Sequence, residues 1–196
     1  MTSSEIAQIA DGVLEKHLGG KKGNGHNILF DVMAAERVKF REVPVLNNAF
    51  VGALTKACND QWYLMVNREI ENTGRKNFTI AHELGHYFLS HQLHSSSFFC
   101  NDAGISEESQ AADLLEREAN YFADCFLMPE PKITAAFKAI LRNSKAARNT
   151  DFLYVSSNYR VWCGMRDSLM KRYGVSEAAL RYRLVQLNLA KFDFRK

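Results

Sequence analysis

An α+β fold is predicted for this 196-residue chain from three patterns. Ile6, Ile9, Ala10, Val13, Leu14 and Leu18 recur at helical spacing behind a capping Ser3 or Ser4. Val38-Lys39-Phe40-Arg41 alternates as a strand does, and Phe50–Ala57 and Trp62–Val66 read as two more strands. Helical patterns then dominate, from about Phe78 to His91, from about Ser109 to Met128, and onward to the end.

The connections follow from local chemistry. Gly19-Gly20 stops the first helix, a basic Gly-rich loop covers Lys21–Gly25, and Ile28–Ala35 forms a short second helix. Cys58-Asn59-Asp60-Gln61 supplies turn residues, so the second and third strands form a hairpin. Asn67–Lys76 is polar, holds Gly74, and reads as a loop. His94–Ser109, rich in Ser, Asp, Asn and Gly, reads as a mobile loop, and Pro129 and Pro131 end the long helix that follows it. The expected organisation is a domain over residues 1–130 and a helical C-terminal extension over 131–196.

Composition narrows the function classes. Hydrophobic residues make up 46 %, enough to bury a core. Lys+Arg 25 against Asp+Glu 22 is too even to imply nucleic acid by bulk charge, although basic residues gather after Lys132. No apolar run approaches the roughly 18 residues of a membrane span. The four cysteines, Cys58, Cys100, Cys125 and Cys163, contain no C-x-x-C pair and read as small buried hydrophobes. With no leader-like N-terminus, a cytoplasmic protein with reduced thiols is expected.

The chemistry gathers in His82-Glu83-Leu84-Gly85-His86. At about 100° per residue, His82 and His86 share one helix face, so two imidazole nitrogens can reach one ion. Zinc accepts such nitrogens at about 2.0–2.1 Å. Glu83 sits at the edge of that face, placed to take a proton from water activated by the ion and to return it to a leaving amine. Two His and a Glu on a helix carrying Phe78, Ile80, Leu84, Phe88 and Leu89 need compensation, and a metal provides it. Gly85 costs roughly 0.8–1.0 kcal/mol relative to Ala in a helix, which suggests that another backbone or a substrate comes close.

A catalytic site of this type needs a third protein ligand. Glu116 shares its helix face with Ala119, Asn120 and Ala123, small enough to admit a second helix, whereas Glu118 shares its face with Leu114, Tyr121 and Phe122, which looks like packing surface. Glu116 is therefore the favoured ligand, with Glu118, Asp113, Asp124 or a histidine as the other candidates. Asn120, one turn beyond, could hydrogen-bond a ligand. His91 and His94 read as surface or loop residues. An oxyanion electrophile could come from Tyr87, Tyr121, Tyr154, Tyr159 or an arginine.

The segments Asn77-Phe-Thr-Ile-Ala-His-Glu-Leu-Gly-His86 and Glu116-Arg-Glu-Ala-Asn-Tyr-Phe-Ala-Asp-Cys-Phe-Leu-Met-Pro129 resemble the ImmA/IrrE metallopeptidases, across roughly residues 50–130. The resemblance implies a zincin fold, a small twisted sheet beside the H-E-x-x-H helix. It also implies His82, His86 and Glu116 as ligands of one Zn2+ (Mn2+ or Fe2+ would suit similar donors), and Glu83 as general base. By analogy, Phe50–Leu54 would be the edge strand that pairs with an extended substrate. Characterised members cleave helix-turn-helix repressors of mobile elements, phage and stress circuits, so a zinc endopeptidase acting on such a protein is the expected function. The alternative is a non-catalytic metal-binding regulator or toxin-antitoxin component that acts by binding. Lys171–Leu187 resembles half a helix-turn-helix, with a Gly174-Val175 turn, a Ser176 cap, and Arg181 and Arg183 as residues that could contact DNA; a helical hairpin packed on the catalytic domain is the other reading.

Overall fold

A computed structural model describes residues 1–18, 25–45, 50–91, 97–101, 109–144 and 150–193. The chain is α+β. Helices α1 (Ser3–Leu18) and α2 (Gly25–Ala35) precede strands β1 (Lys39–Val43), β2 (Phe50–Lys56) and β3 (Trp62–Asn67). Then come α3 (Thr73–Phe88), β4 (Ser97–Asn101), α4 (Ser109–Leu127) and α5 (Glu130–Asn143). A C-terminal set follows: β5 (Leu153–Tyr154), α6 (Tyr159–Tyr173), α7 (Glu177–Gln186) and β6 (Ala190–Lys191).

The main sheet has the order β1-β3-β2-β4. β1 runs parallel to β3, and β2 runs antiparallel to both β3 and β4. The β2–β3 hairpin forms where the turn residues predicted it: Ala57 donates to the Gln61 carbonyl at 2.9 Å, and Asp60 takes a left-handed φ of 61°. Period-2 burial places Leu54, Leu64 and Val66 in the core beneath α3. No helix among the described residues is long and apolar enough to cross a membrane.

Three expectations are corrected. The stretch read as a loop over His94–Ser109 contains β4, which pairs along β2 from Thr55↔Ser97 to Phe50↔Asn101; the remainder of that stretch up to residue 108, like Gly19-Gly20 and most of Lys21–Gly25, lies outside the described residues. Ladder hydrogen bonds to a strand already in place outweigh the weak intrinsic preference of a Ser-rich segment. As a result Phe50–Leu54 is interior to the sheet, and β1 and β4 are its edges.

The third correction concerns the start of α3, five residues earlier than expected. Asn72 caps it, its Oδ1 accepting from the Arg75 amide at 2.9 Å. Gly74 lies in the first helical turn rather than a loop because the C-terminal segment packs there. A Cβ on Gly74 would stand 2.3 Å from the Ser176 nitrogen and 2.3 Å from the Val175 carbonyl carbon. Asn77 Nδ2 donates to the Gly174 carbonyl at 2.8 Å across the same contact.

The segment that resembles half a helix-turn-helix is thus built as its residues suggested, and docked inward. Gly174 takes the left-handed conformation that ends α6, and Ser176 caps α7 through the Ala179 amide. Arg183 is 2 % exposed and donates to the Met128 carbonyl at 3.2 Å, so it has no reach to DNA; Arg181 stacks over the Phe192 ring at 4.7 Å. Leu169, Val175, Leu180 and Leu184 share one hydrophobic core with Leu84, Phe122 and Phe137.

Replacing Gly74 with Ala should lower the denaturation free energy by about 1–3 kcal/mol, because two backbones would have to separate. Gly12→Ala, where an added Cβ meets nothing within 4 Å, should be neutral or stabilising. Equal urea midpoints for the two variants would refute the inward docking.

Candidate metal centre

The centre is built on the crossing of α3 and α4. Gly85 permits their close approach: a Cβ there would lie 3.0 Å from the Ala119 carbonyl oxygen and 3.1 Å from its Cα. The intrinsic cost of a mid-helix glycine is thereby exchanged for backbone-to-backbone packing, as the placement of Gly85 in the sequence suggested. Ala119 is the small residue on the opposing face, and Glu116 projects one turn before it.

Across this crossing three side chains converge. His82 Nε2 and His86 Nε2 stand 2.9 Å apart. Glu116 Oε2 is 3.1 Å from His82 Nε2, and its Oε1 is 3.3 Å from His86 Nε2. One donor atom from each residue lies within 4.8 Å of the others. Donors around a tetrahedral zinc at about 2.0–2.1 Å are themselves about 3.3 Å apart, so this spacing fits one divalent ion. His82 and His86 are 6 % and 0 % exposed, while the Glu116 side chain is 39 % exposed, so the cluster opens on the Glu116 side.

The outward ring nitrogens are also engaged. His82 Nδ1 contacts Asn120 Oδ1 at 2.9 Å, which orients the ring and points Nε2 inward. His86 Nδ1 contacts His91 Nδ1 at 3.0 Å, and His91 Nε2 contacts Glu118 Oε2 at 3.1 Å. Glu118 also pairs with the terminal amine of Met1. His91, expected at the surface, is 2 % exposed, and Glu118, expected to be packing surface, ends this chain of contacts. Sequence spacing could not reveal it. After the cap at Leu89, Ser90 turns the chain with a left-handed φ of 57°, and that turn swings His91 back beneath His86.

Electrostatics prepare these groups as donors. Burial, reinforced by the neighbouring His82 and His91, lowers the His86 pKa to about 4, keeping the ring neutral. Burial also opposes charge on His82, but the hydrogen bond it donates to Glu116 and the charges of Glu83 and Glu116 outweigh it and raise its pKa. For Glu116 burial pushes upward, yet the hydrogen bonds and charges of the two histidines hold the carboxyl well below its ordinary range.

Glu83 is fully buried between α3 and β2. Gly52 makes room for it: a Cβ on that strand residue would lie 3.0 Å from Glu83 Oε1 and 2.6 Å from Thr79 Cγ2. The other candidate third ligands lie elsewhere. Asp113 is exposed, and Asp124 is buried in a separate cavity, where burial raises its pKa to about 7 against the opposing charge of Arg183.

A small twisted sheet, a helix carrying His82 and His86, and a second helix delivering Glu116 define a zincin-like domain with a candidate metal site. Residues 34–185 match the family described as IrrE N-terminal-like domain (Peptidase_M78), and the chain belongs to that family. A solved structure titled "Mycobacterium tuberculosis transcriptional regulator" shares the fold, with a TM-score of 0.50 and 17% identity. That match covers 94% of this chain and 52% of the regulator, so the chain spans about half the regulator's length. No curated protein matches the chain.

His91→Ala should weaken divalent-metal affinity by about 10–100-fold in chelator competition, because His86 loses the group that orients it; unchanged affinity would show the contact to be incidental. A second expectation concerns pH. The folded-state pKa of Asp124, about 7, lies above the ordinary aspartate value of 3.8, so folding takes up a proton between those values and stability falls as pH rises from about 4 to about 7. Asp124→Asn should remove that fall and be more stable than the parent at pH 8, by on the order of 1–3 kcal/mol, with the difference vanishing near pH 4. Parallel stability–pH curves for the two proteins would contradict it.

Proposed function

We propose that this chain is a zinc metallo-endopeptidase that hydrolyses a peptide bond in a regulatory protein, a helix-turn-helix repressor of a mobile element, phage or stress circuit being the favoured substrate. The observation that carries the reading is the convergence of two imidazole nitrogens and one carboxylate beside a buried glutamate. In this reading His82, His86 and Glu116 hold the ion. When bound there, a divalent ion supplies Lewis acidity toward a peptide carbonyl and makes water more acidic.

The protein's own groups do the rest. Glu83, next to His82 in sequence and sealed by β2, receives the proton of the attacking water and passes it to the departing amine nitrogen. Asn120 and His91 keep the two ligand rings in the tautomer that presents Nε2 to the ion. The exposed side of Glu116 is the approach for the scissile bond. A regulatory target is supported by membership of the family and by the shared fold with a transcriptional regulator.

Glu83→Gln is the direct test. It should retain one zinc per chain by elemental analysis while cleavage of a repressor encoded beside its gene falls by about 10²–10⁴-fold. Full cleavage by this variant would exclude Glu83 as the base. Loss of metal together with cleavage would place Glu83 among the ligands instead.

A further inference from the structure

The two ligand rings are directed by different kinds of neighbour. His82 Nδ1 faces Asn120 Oδ1, an amide oxygen that only accepts, so the ring proton belongs on Nδ1 and Nε2 is left bare for an ion. His86 Nδ1 faces another imidazole nitrogen, His91 Nδ1, at 3.0 Å. A neutral imidazole donates from one nitrogen and accepts at the other, so this contact by itself runs equally well in either direction. In one direction His86 donates, and its Nε2 is open to a metal. In the other His91 donates, the His86 proton sits on Nε2, and the ion is shut out.

Glu116 favours the wrong direction as long as no ion is bound. Its Oε1 stands 3.3 Å from His86 Nε2 and is an acceptor for a proton there. An acceptor on the outer side has to oppose it. His91 Nε2 lies 3.1 Å from Glu118 Oε2, and a carboxylate only accepts. That contact keeps the His91 proton on Nε2, which leaves His91 Nδ1 able only to accept from His86. Reversal would set the lone pair of His91 Nε2 against the Glu118 carboxylate. His86 and His91 are both buried, so bulk solvent does not compensate such a mismatch.

Glu116 and Glu118 lie about 200° apart around α4. One helix thus sends a carboxylate to each side of the same pair of rings: Glu116 to the metal-facing nitrogens, Glu118 to His91. The other Glu118 oxygen pairs with the terminal amine of Met1, and Oε2 is the one that meets His91. We propose that Glu118 is a positioning residue of the metal centre: acting through His91, it fixes the direction of the His91–His86 hydrogen bond so that His86 offers an unprotonated Nε2 to the ion. The inference rests on the metal-binding half of the peptidase reading, and its test is read without cleavage.

The test uses the purified full chain, metal-free and carrying isotope-labelled histidine, near neutral pH. Long-range proton–nitrogen correlation spectra locate the proton on each ring. The parent should show His91 protonated at Nε2 alone and His86 at Nδ1 alone. In Glu118→Leu, a substantial fraction of molecules should carry the His91 proton on Nδ1 and the His86 proton on Nε2. Zinc affinity in chelator competition should then fall about 10–100-fold. In a His91→Phe background the same Glu118→Leu change should cost no more than about twofold, because its path to His86 is gone. A parent His91 protonated at Nδ1, or at both nitrogens, would overturn the proposal with no variant involved. So would unchanged proton positions in a folded Glu118→Leu, or a loss of affinity as large in the His91→Phe background as in the parent. If the parent takes up no zinc, the peptidase reading fails, while the proton positions still decide the role of Glu118.

Discussion

The crossing of two helices at Gly85 and Ala119 is the constraint on which the rest depends. A zinc-sized cluster needs three donor atoms about 3.3 Å apart, and helices whose axes are held apart by ordinary side chains leave a short carboxylate out of reach. Removing the Cβ at position 85 lets the Ala119 backbone settle against α3, and Glu116 then meets His82 and His86. One absent methyl group thus sets the distance between two helices whose crossing residues, Gly85 and Ala119, are far apart in the chain.

Once the crossing exists, burial governs the chemistry. The same exclusion of water that keeps His86 neutral also makes its hydrogen-bond partner matter, since a misdirected ring inside a low-dielectric site has no solvent to fall back on. His91 and Asn120 supply that direction from opposite sides. Glu83 is buried against β2, where the missing side chain of Gly52 leaves room for its carboxyl beside Thr79. Glycine recurs at positions 52, 74 and 85 because each marks a place where backbone or a functional side chain presses against another element.

The C-terminal helices complete this arrangement from behind. Val175 and Ser176 press on the first turn of α3, and Asn77 ties that turn to Gly174. Arg183, exposed in a DNA-reading view of the sequence, is committed to the interior, and the inward face of α7 closes one wall of the Asp124 cavity. The helix that presents the two histidines is therefore braced at its start by residues nearly a hundred positions later.

Much was legible in the residues alone. Period-2 runs and turn chemistry located β2, β3 and their hairpin; helical spacing put His82 and His86 on one face; the small neighbours of Glu116 marked the side from which a helix could approach. These are local relations, carried by backbone geometry over a few residues. What the sequence could not decide was whatever depends on chain reversal or long-range pairing. β4 exists because β2 offers it a ladder, α3 begins early because the Gly174 turn packs on Gly74, and His91 reaches His86 only through the left-handed turn at Ser90. Side-chain type and spacing determine which chemistry a helix can offer, but tertiary packing alone determines which distant backbone arrives to complete it, because that outcome is set by the summed burial of the whole core.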